Sequence, residues 1–114
     1  MEEQFDILTG TELTAVEFVL DFLQLRFDDS VLTLFAWPVI ADPDGISLDF
    51  GQPGYRDALC FNINEEVKLA TYHEGNELTL EFENGVVIAL SLRAEALSAP
   101  QAGTFSTPGT HFEF

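Results

Sequence analysis

The sequence predicts a mainly β, β-rich α+β fold. It reads as two pseudo-repeated three-strand antiparallel meanders that form a sandwich-like or curved sheet, with one short helix in the linker between them. Three observations predict this. An Asn-Gly turn sits between two strand-like segments, at Asn84-Gly85. The same pattern, Leu-x-Leu-x-Phe followed by an acidic turn and an apolar run, occurs earlier at Leu23–Phe27. The stretches between and after the two copies are dense in Pro, Gly and Asp.

Taken in order, the chain divides into pseudo-repeats at 11–38 and 65–93, a linker at 39–64 and a tail at 94–114, within one domain covering 1–114. The opening MEEQFDILTG has no basic n-region and no long apolar run, so it is not expected to be a signal peptide. In the first repeat, TELTAVEFV supplies a strand. Leu23–Asp28 supplies the second, Asp28-Asp29-Ser30 the turn, and Val31–Trp37 the return strand. Phe35 and Trp37 are then expected to face inward with Leu23. Leu32, Leu34 and Ala36 fall on the opposite face.

The linker carries Asp42-Pro43-Asp44-Gly45, a β-turn sequence, and Ile46–Phe50 is long enough for a short strand. Tyr55, Ala58, Leu59 and Phe61 are spaced for one or two helical turns. In the second repeat, Leu13, Ala15 and Phe18 recur as Val67, Leu69 and Tyr72, allowing one residue of slip. Leu78–Glu83 alternates with period two. A three-residue loop, with Gly85 in the left-handed conformation, pairs Phe82 with Val86, Leu80 with Ile88 and Leu78 with Leu90. One face becomes uniformly apolar in that register. The tail reads as loop, except that Thr110–Phe114 alternates and suits a last strand.

Composition narrows the function classes. Of 114 residues, 46% are hydrophobic and 11 are Phe, too apolar for a disordered acidic chain. The 20 acidic residues face only Arg26, Arg56, Lys68 and Arg93, a formal net charge of −16. Nucleic acid and anionic membrane surfaces are therefore not expected partners, because both need a basic patch. A basic protein would be steered toward such a surface. Cys60 is the only cysteine, which excludes an intramolecular disulfide and leaves the cytoplasm as the expected compartment.

Chemistry-bearing residues are sparse. Asp42, Asp44, Ser47 and Asp49 carry oxygen ligands, but Gly45 comes too early for an EF-hand loop and no closing Glu follows. Cys60 lies in an apolar run and reads as a buried small hydrophobe. His73, beside Glu74 and Gly75, reads as solvated. No catalytic motif, cofactor motif or metal pattern emerges, so no enzyme activity and no cofactor is expected. The two apolar faces of Val31–Trp37 mean either a strand whose second face is covered by the linker helix and tail or an exposed patch. In the second case Leu32, Leu34 and Ala36, with the turn acids Asp28 and Asp29, form the interaction surface. Its occupant would be a basic protein or a second copy in a homodimer. An unmarked pocket for a small ligand or substrate is the remaining alternative.

The hairpin grammar, the YRDALCFNI segment and TLEFENGVVIAL together resemble small bacterial β-meander domains of unknown function. Some of those resemble immunity proteins of polymorphic toxin systems. The resemblance spans residues 8–93 and implies a compact, non-enzymatic β protein that binds a partner.

Overall fold

The computed structural model describes residues 2–96 and 101–114. A 3-10 helix, Glu2–Leu8, leads into three antiparallel strands: β1 (Leu13–Val19), β2 (Phe22–Phe27) and β3 (Ser30–Leu34). A hairpin follows, β4 (Val39–Ala41) and β5 (Ser47–Leu48), then helix α1 (Tyr55–Cys60). The second meander is β6 (Val67–His73), β7 (Glu77–Phe82) and β8 (Val87–Ser91). The chain ends in another hairpin, β9 (Gly103–Thr107) and β10 (Thr110–Glu113). The helix in the linker and the final strand are where the sequence predicts them. Among the described residues there are ten strands, because the linker also supplies β4 and the tail also supplies β9.

Two five-stranded antiparallel sheets face each other across one core. Their orders are β1-β2-β3-β9-β10 and β5-β4-β8-β7-β6. Each sheet is a meander from one repeat completed by the hairpin of the other. Val31–Leu34 pair with Ser106–Gly103, and Val87–Ala89 pair with Ala41–Val39. Ile40 and Phe105 are thus counterparts, as are Leu48 and Phe112. The repeat is larger than a meander: it is a helical turn, three strands and an exchanged hairpin. The segments 39–64 and 94–114 each carry a hairpin whose strands are integral to the sheets.

The two repeats meet at an isolated antiparallel bridge between Glu12 and Glu66, which marks a pseudo-two-fold axis. Val67 N donates to Thr11 O at 2.8 Å, and Leu13 N donates to Glu65 O at 3.0 Å, as two-fold-related copies of one bond. Both first strands carry a bulge at the same place, between Leu13 and Ala15 and between Val67 and Leu69. The extra residue resets the alternation, so Leu13 and Val16 reach the core together, as do Val67 and Ala70. The one-residue slip lies in the next turn. Val19 pairs with Phe22 across Leu20-Asp21, while His73 pairs with Glu77 across Glu74-Gly75-Asn76.

The register of the second hairpin is as the sequence predicts. Leu80 opposes Ile88, Leu78 opposes Leu90, and Phe82 N donates to Val86 O at 2.8 Å. Gly85 closes the turn at φ 92°. The first hairpin differs by one residue. Phe27 pairs with Ser30, so the loop is only Asp28-Asp29, and Asp28 takes φ 50°. Asp is among the few non-glycine residues that tolerate the left-handed backbone. The shift turns the return strand over: Leu23 opposes Leu34 and Leu25 opposes Leu32. Leu32 and Leu34, expected on an open face, are buried in the core, and Phe35 is half-buried instead.

Candidate functional site: an apolar groove beside helix α1

The β4–β5 hairpin, α1 and the β7–β8 turn enclose a groove of about 540 Å³. Its floor is the end of one sheet face, Ile40, Leu48 and Val86. These three share a face because Ile40 pairs with both Leu48 and Ile88, and Val86 lies two residues before Ile88.

One wall is the loop between β4 and β5. Asp42 Oδ1 accepts from Asp44 N and Ile46 N, each at 2.9 Å, and Gly45 N donates to Asp42 O at 3.0 Å. Asp42 thereby organises its own Asp-Pro-Asp-Gly turn, which is the turn reading of this stretch. The loop holds Ile46 outward, 64% exposed, on the groove rim.

The second wall is α1, whose Tyr55 and Leu59 face the core and whose Ala58 faces the groove. Tyr55 Oη donates to Pro38 O at 2.5 Å. Burial raises the Tyr55 pKa far above the ordinary phenol range, and the nearby Asp49 carboxylate adds to the rise. Just past the helix, Phe61 projects onto the rim with 82% of its surface exposed. Asn62 is buried and ties the walls together. Its Nδ2 donates to Ala58 O at 2.9 Å, and its Oδ1 accepts from Asn84 Nδ2 at 3.1 Å. Asn84 Oδ1 in turn accepts from Val86 N at 3.0 Å, which braces the β7–β8 turn.

The ionised groups of the lining are Asp42 and Asp57. The neighbouring cation, Arg56, lies over ring faces, 5.7 Å from the Phe18 centroid and 5.8 Å from that of Phe50. The other three basic residues also have partners. Arg26 Nε is 2.9 Å from Glu17 Oε1, Lys68 Nζ is 3.9 Å from Glu81 Oε2, and Arg93 Nη1 is 4.0 Å from Glu95 Oε2. The acidic excess is left to act outward.

The sequence-predicted surface does not assemble. Leu32 and Leu34 are 0% and 1% exposed, and Ala36 is half-buried against the core. Asp28 and Asp29 are exposed in the β2–β3 turn, the counterpart of the Asn84 turn in the other repeat. Cys60, expected to be buried, is exposed, because α1 turns Leu59 rather than Cys60 to the core. His73 is exposed, as expected. Ser106 Oγ lies 2.9 Å from His111 Nδ1, and His111 Nε2 lies 3.5 Å from Glu113. Ser106 and His111 are cross-strand partners and Glu113 follows His111 by two residues on the same face of β10, so hairpin geometry accounts for all three.

Sequence reading missed the groove because its lining comes from three separated segments. Phe61 carried the one local signal: it continues the helical spacing past α1 onto a surface position. Among the described residues no three His, Cys, Asp or Glu side chains group as a metal site, and no helix is long and apolar enough to cross a membrane. No family model, no curated protein and no solved structure matches the chain.

Proposed function

We propose that this protein is a non-catalytic binding module for a basic protein partner, with the groove beside α1 as its contact surface. The observation that carries the reading is the pairing of Phe61 and Ile46, exposed on the rim, with the carboxylates Asp42 and Asp57 in the lining. Buried apolar anchors supply affinity, and charge steers the encounter. The net charge of −16, with every cation already engaged, favours a positively charged partner. An immunity-type inhibitor of a basic toxin is one form such a module takes. A small apolar ligand would fit the volume, but a wide groove rimmed by a free aromatic ring suits a macromolecular surface better. A cytoplasmic location belongs to the same proposal and is supported by the exposed single thiol of Cys60.

The test uses the full chain as bait in native lysate at low and high salt, beside an Ile46→Ser/Phe61→Ser double variant. One identifiable basic protein should be retained by the wild type, released by salt and lost with the variant. Capture indifferent to both salt and the rim variant would refute the reading.

A further inference from the structure

The pseudo-two-fold axis provides an internal control for the groove. Its counterpart lies between the 3-10 helix, the β9–β10 hairpin and the β2–β3 turn. There Phe105 and Phe112 stand where the groove floor has Ile40 and Leu48. Phe5, buried like Leu59 in α1, completes the set. These rings are packed together, Phe5 with Phe105 at 5.0 Å and with Phe112 at 5.9 Å between centroids. The walls differ too. The β4–β5 loop runs from residue 42 to 46, against Pro108-Gly109 in the other hairpin. The Glu83–Gly85 turn is one residue longer than Asp28-Asp29. At these three positions one end of the sandwich carries rings and the other aliphatic side chains, Phe18, Trp37 and Phe50 stacking outside the groove lining, and the groove walls are higher.

We infer that the groove accepts an aromatic side chain presented on a lysine- or arginine-bearing segment of a protein partner. The partner's ring takes the place that Phe105 and Phe112 take in the other repeat, and its cations meet Asp42 and Asp57. This rests on the binding-module reading and names the occupant of the same site. Ring shape follows from the counterpart, where the same sheet edge and helical turn fill the space with rings of their own, Phe105, Phe112 and Phe5. Cationic character follows from the lining, whose ionised groups are these two carboxylates. Asp42 has two amide donors on Oδ1, and a carboxylate accepts about four hydrogen bonds, so capacity remains.

The test is amide NMR of the full chain titrated with three capped pentapeptides. One alternates lysine and phenylalanine, one lysine and leucine, one glutamate and phenylalanine. The lysine–phenylalanine peptide should shift the amides of Ile46, Phe61 and Val86. It should bind about fivefold tighter than the lysine–leucine peptide, the increment expected of ring packing beyond area. The glutamate–phenylalanine peptide should leave those amides unmoved. Asp42→Asn and Asp57→Asn should each weaken the first peptide by about threefold, as for a surface ion pair. Ile40→Phe/Leu48→Phe, which imports the rings of the other repeat, should abolish binding. Ala58→Phe fills the groove from the helix side and does the same should the double variant not fold. Equal binding of the leucine peptide, or shifts centred on exposed Leu20 and Leu69 instead, would overturn the inference. Phenethylamine binding as tightly as the peptide would overturn a protein segment as occupant. If the peptides fail while a basic protein is still captured in a Phe61-dependent way, the ring-and-cation occupant is wrong and the binding module stands. If both fail, both fall.

Discussion

Gly10 and Asn64 are the same residue of the fold, seen twice. Gly10 N donates to Val67 O at 2.8 Å and Asn64 N donates to Leu13 O at 2.6 Å, each reaching across the pseudo-two-fold axis. Both sit in the left-handed region, at φ 88° and 82°. Glycine takes that conformation freely, and asparagine is among the few side chains that tolerate it. Gly10→Asn should therefore fold with a loss below about 1 kcal/mol, whereas Gly10→Val should lose about 2 kcal/mol or more, because a β-branched side chain is strained there. Asn64→Gly should be neutral or slightly stabilising. Urea unfolding of the three variants checks the order; equal costs for Asn and Val at position 10 would contradict it.

The buried Leu34 and the exposed Leu20 make opposite predictions from similar sequence contexts. Leu34 is 1% exposed and opposes Leu23 inside the sandwich, while Leu20 is 92% exposed in the β1–β2 turn. Leu34→Asp places a carboxylate in the core with nothing to pair it, a cost of several kcal/mol that a domain of this size does not withstand. It should be unfolded by circular dichroism. Leu20→Asp should unfold within about 0.5 kcal/mol of wild type. A folded Leu34→Asp chain would mean that the β2–β3 register is the three-residue one.

That register shows what the sequence could and could not convey. Asn84-Gly85 names its own turn, since glycine marks the left-handed residue, and the pairings that follow are legible. Asp28-Asp29-Ser30 contains no glycine, so nothing local distinguishes a two-residue loop with Asp28 at φ 50° from a three-residue one. The difference of one residue exchanges the faces of the following strand and moved Leu32 and Leu34 from an open surface to the core. The strands β4 and β9 were hidden for another reason. Each is short, flanked by Pro or Gly, and paired with a strand far away in the chain, β8 and β3 respectively. Local pattern carries no record of such pairing. The groove inherits both difficulties, because its floor is β4 and β5 and its brace is a bond between Asn62 and Asn84.

Tyr55 connects the helix to the hairpin in a way that depends on pH. Its buried hydroxyl donates to Pro38 O, so Tyr55→Phe orphans a buried carbonyl and should cost about 1–2 kcal/mol at neutral pH. The pKa is raised in the folded state, so the neutral form is favoured there. Below the ordinary phenol pKa both folded and unfolded chains keep the proton, and the contribution is fully present. Above it the unfolded chain ionises first, and stability is lost as pH rises toward the folded-state value. The gap between wild type and Tyr55→Phe should thus narrow from about pH 9 to about pH 11, around the unperturbed tyrosine pKa. Urea midpoints across that range check it, and a gap that widened would have the wrong sign.

Asn62 and Asn84 should respond unequally to removal, although they share one hydrogen bond. Asn62 is buried, and Asn84 is exposed. Asn84→Ala leaves Asn62 Oδ1 without its donor inside the protein and also removes the acceptor for Val86 N. An orphaned buried acceptor costs about 1–3 kcal/mol. Asn62→Leu instead removes the buried polar atoms altogether and puts there the residue type found at buried Leu8, ahead of the equivalent strand. The Asn84 amide left behind is hydrated. Asn62→Leu should therefore cost less than Asn84→Ala. The double variant should cost less than the two added together, since once Asn62 is gone Asn84 has no buried partner to abandon. Urea unfolding of the four chains in this cycle reads the coupling directly. Additive costs would mean that the Asn62–Asn84 bond contributes nothing to holding the groove walls.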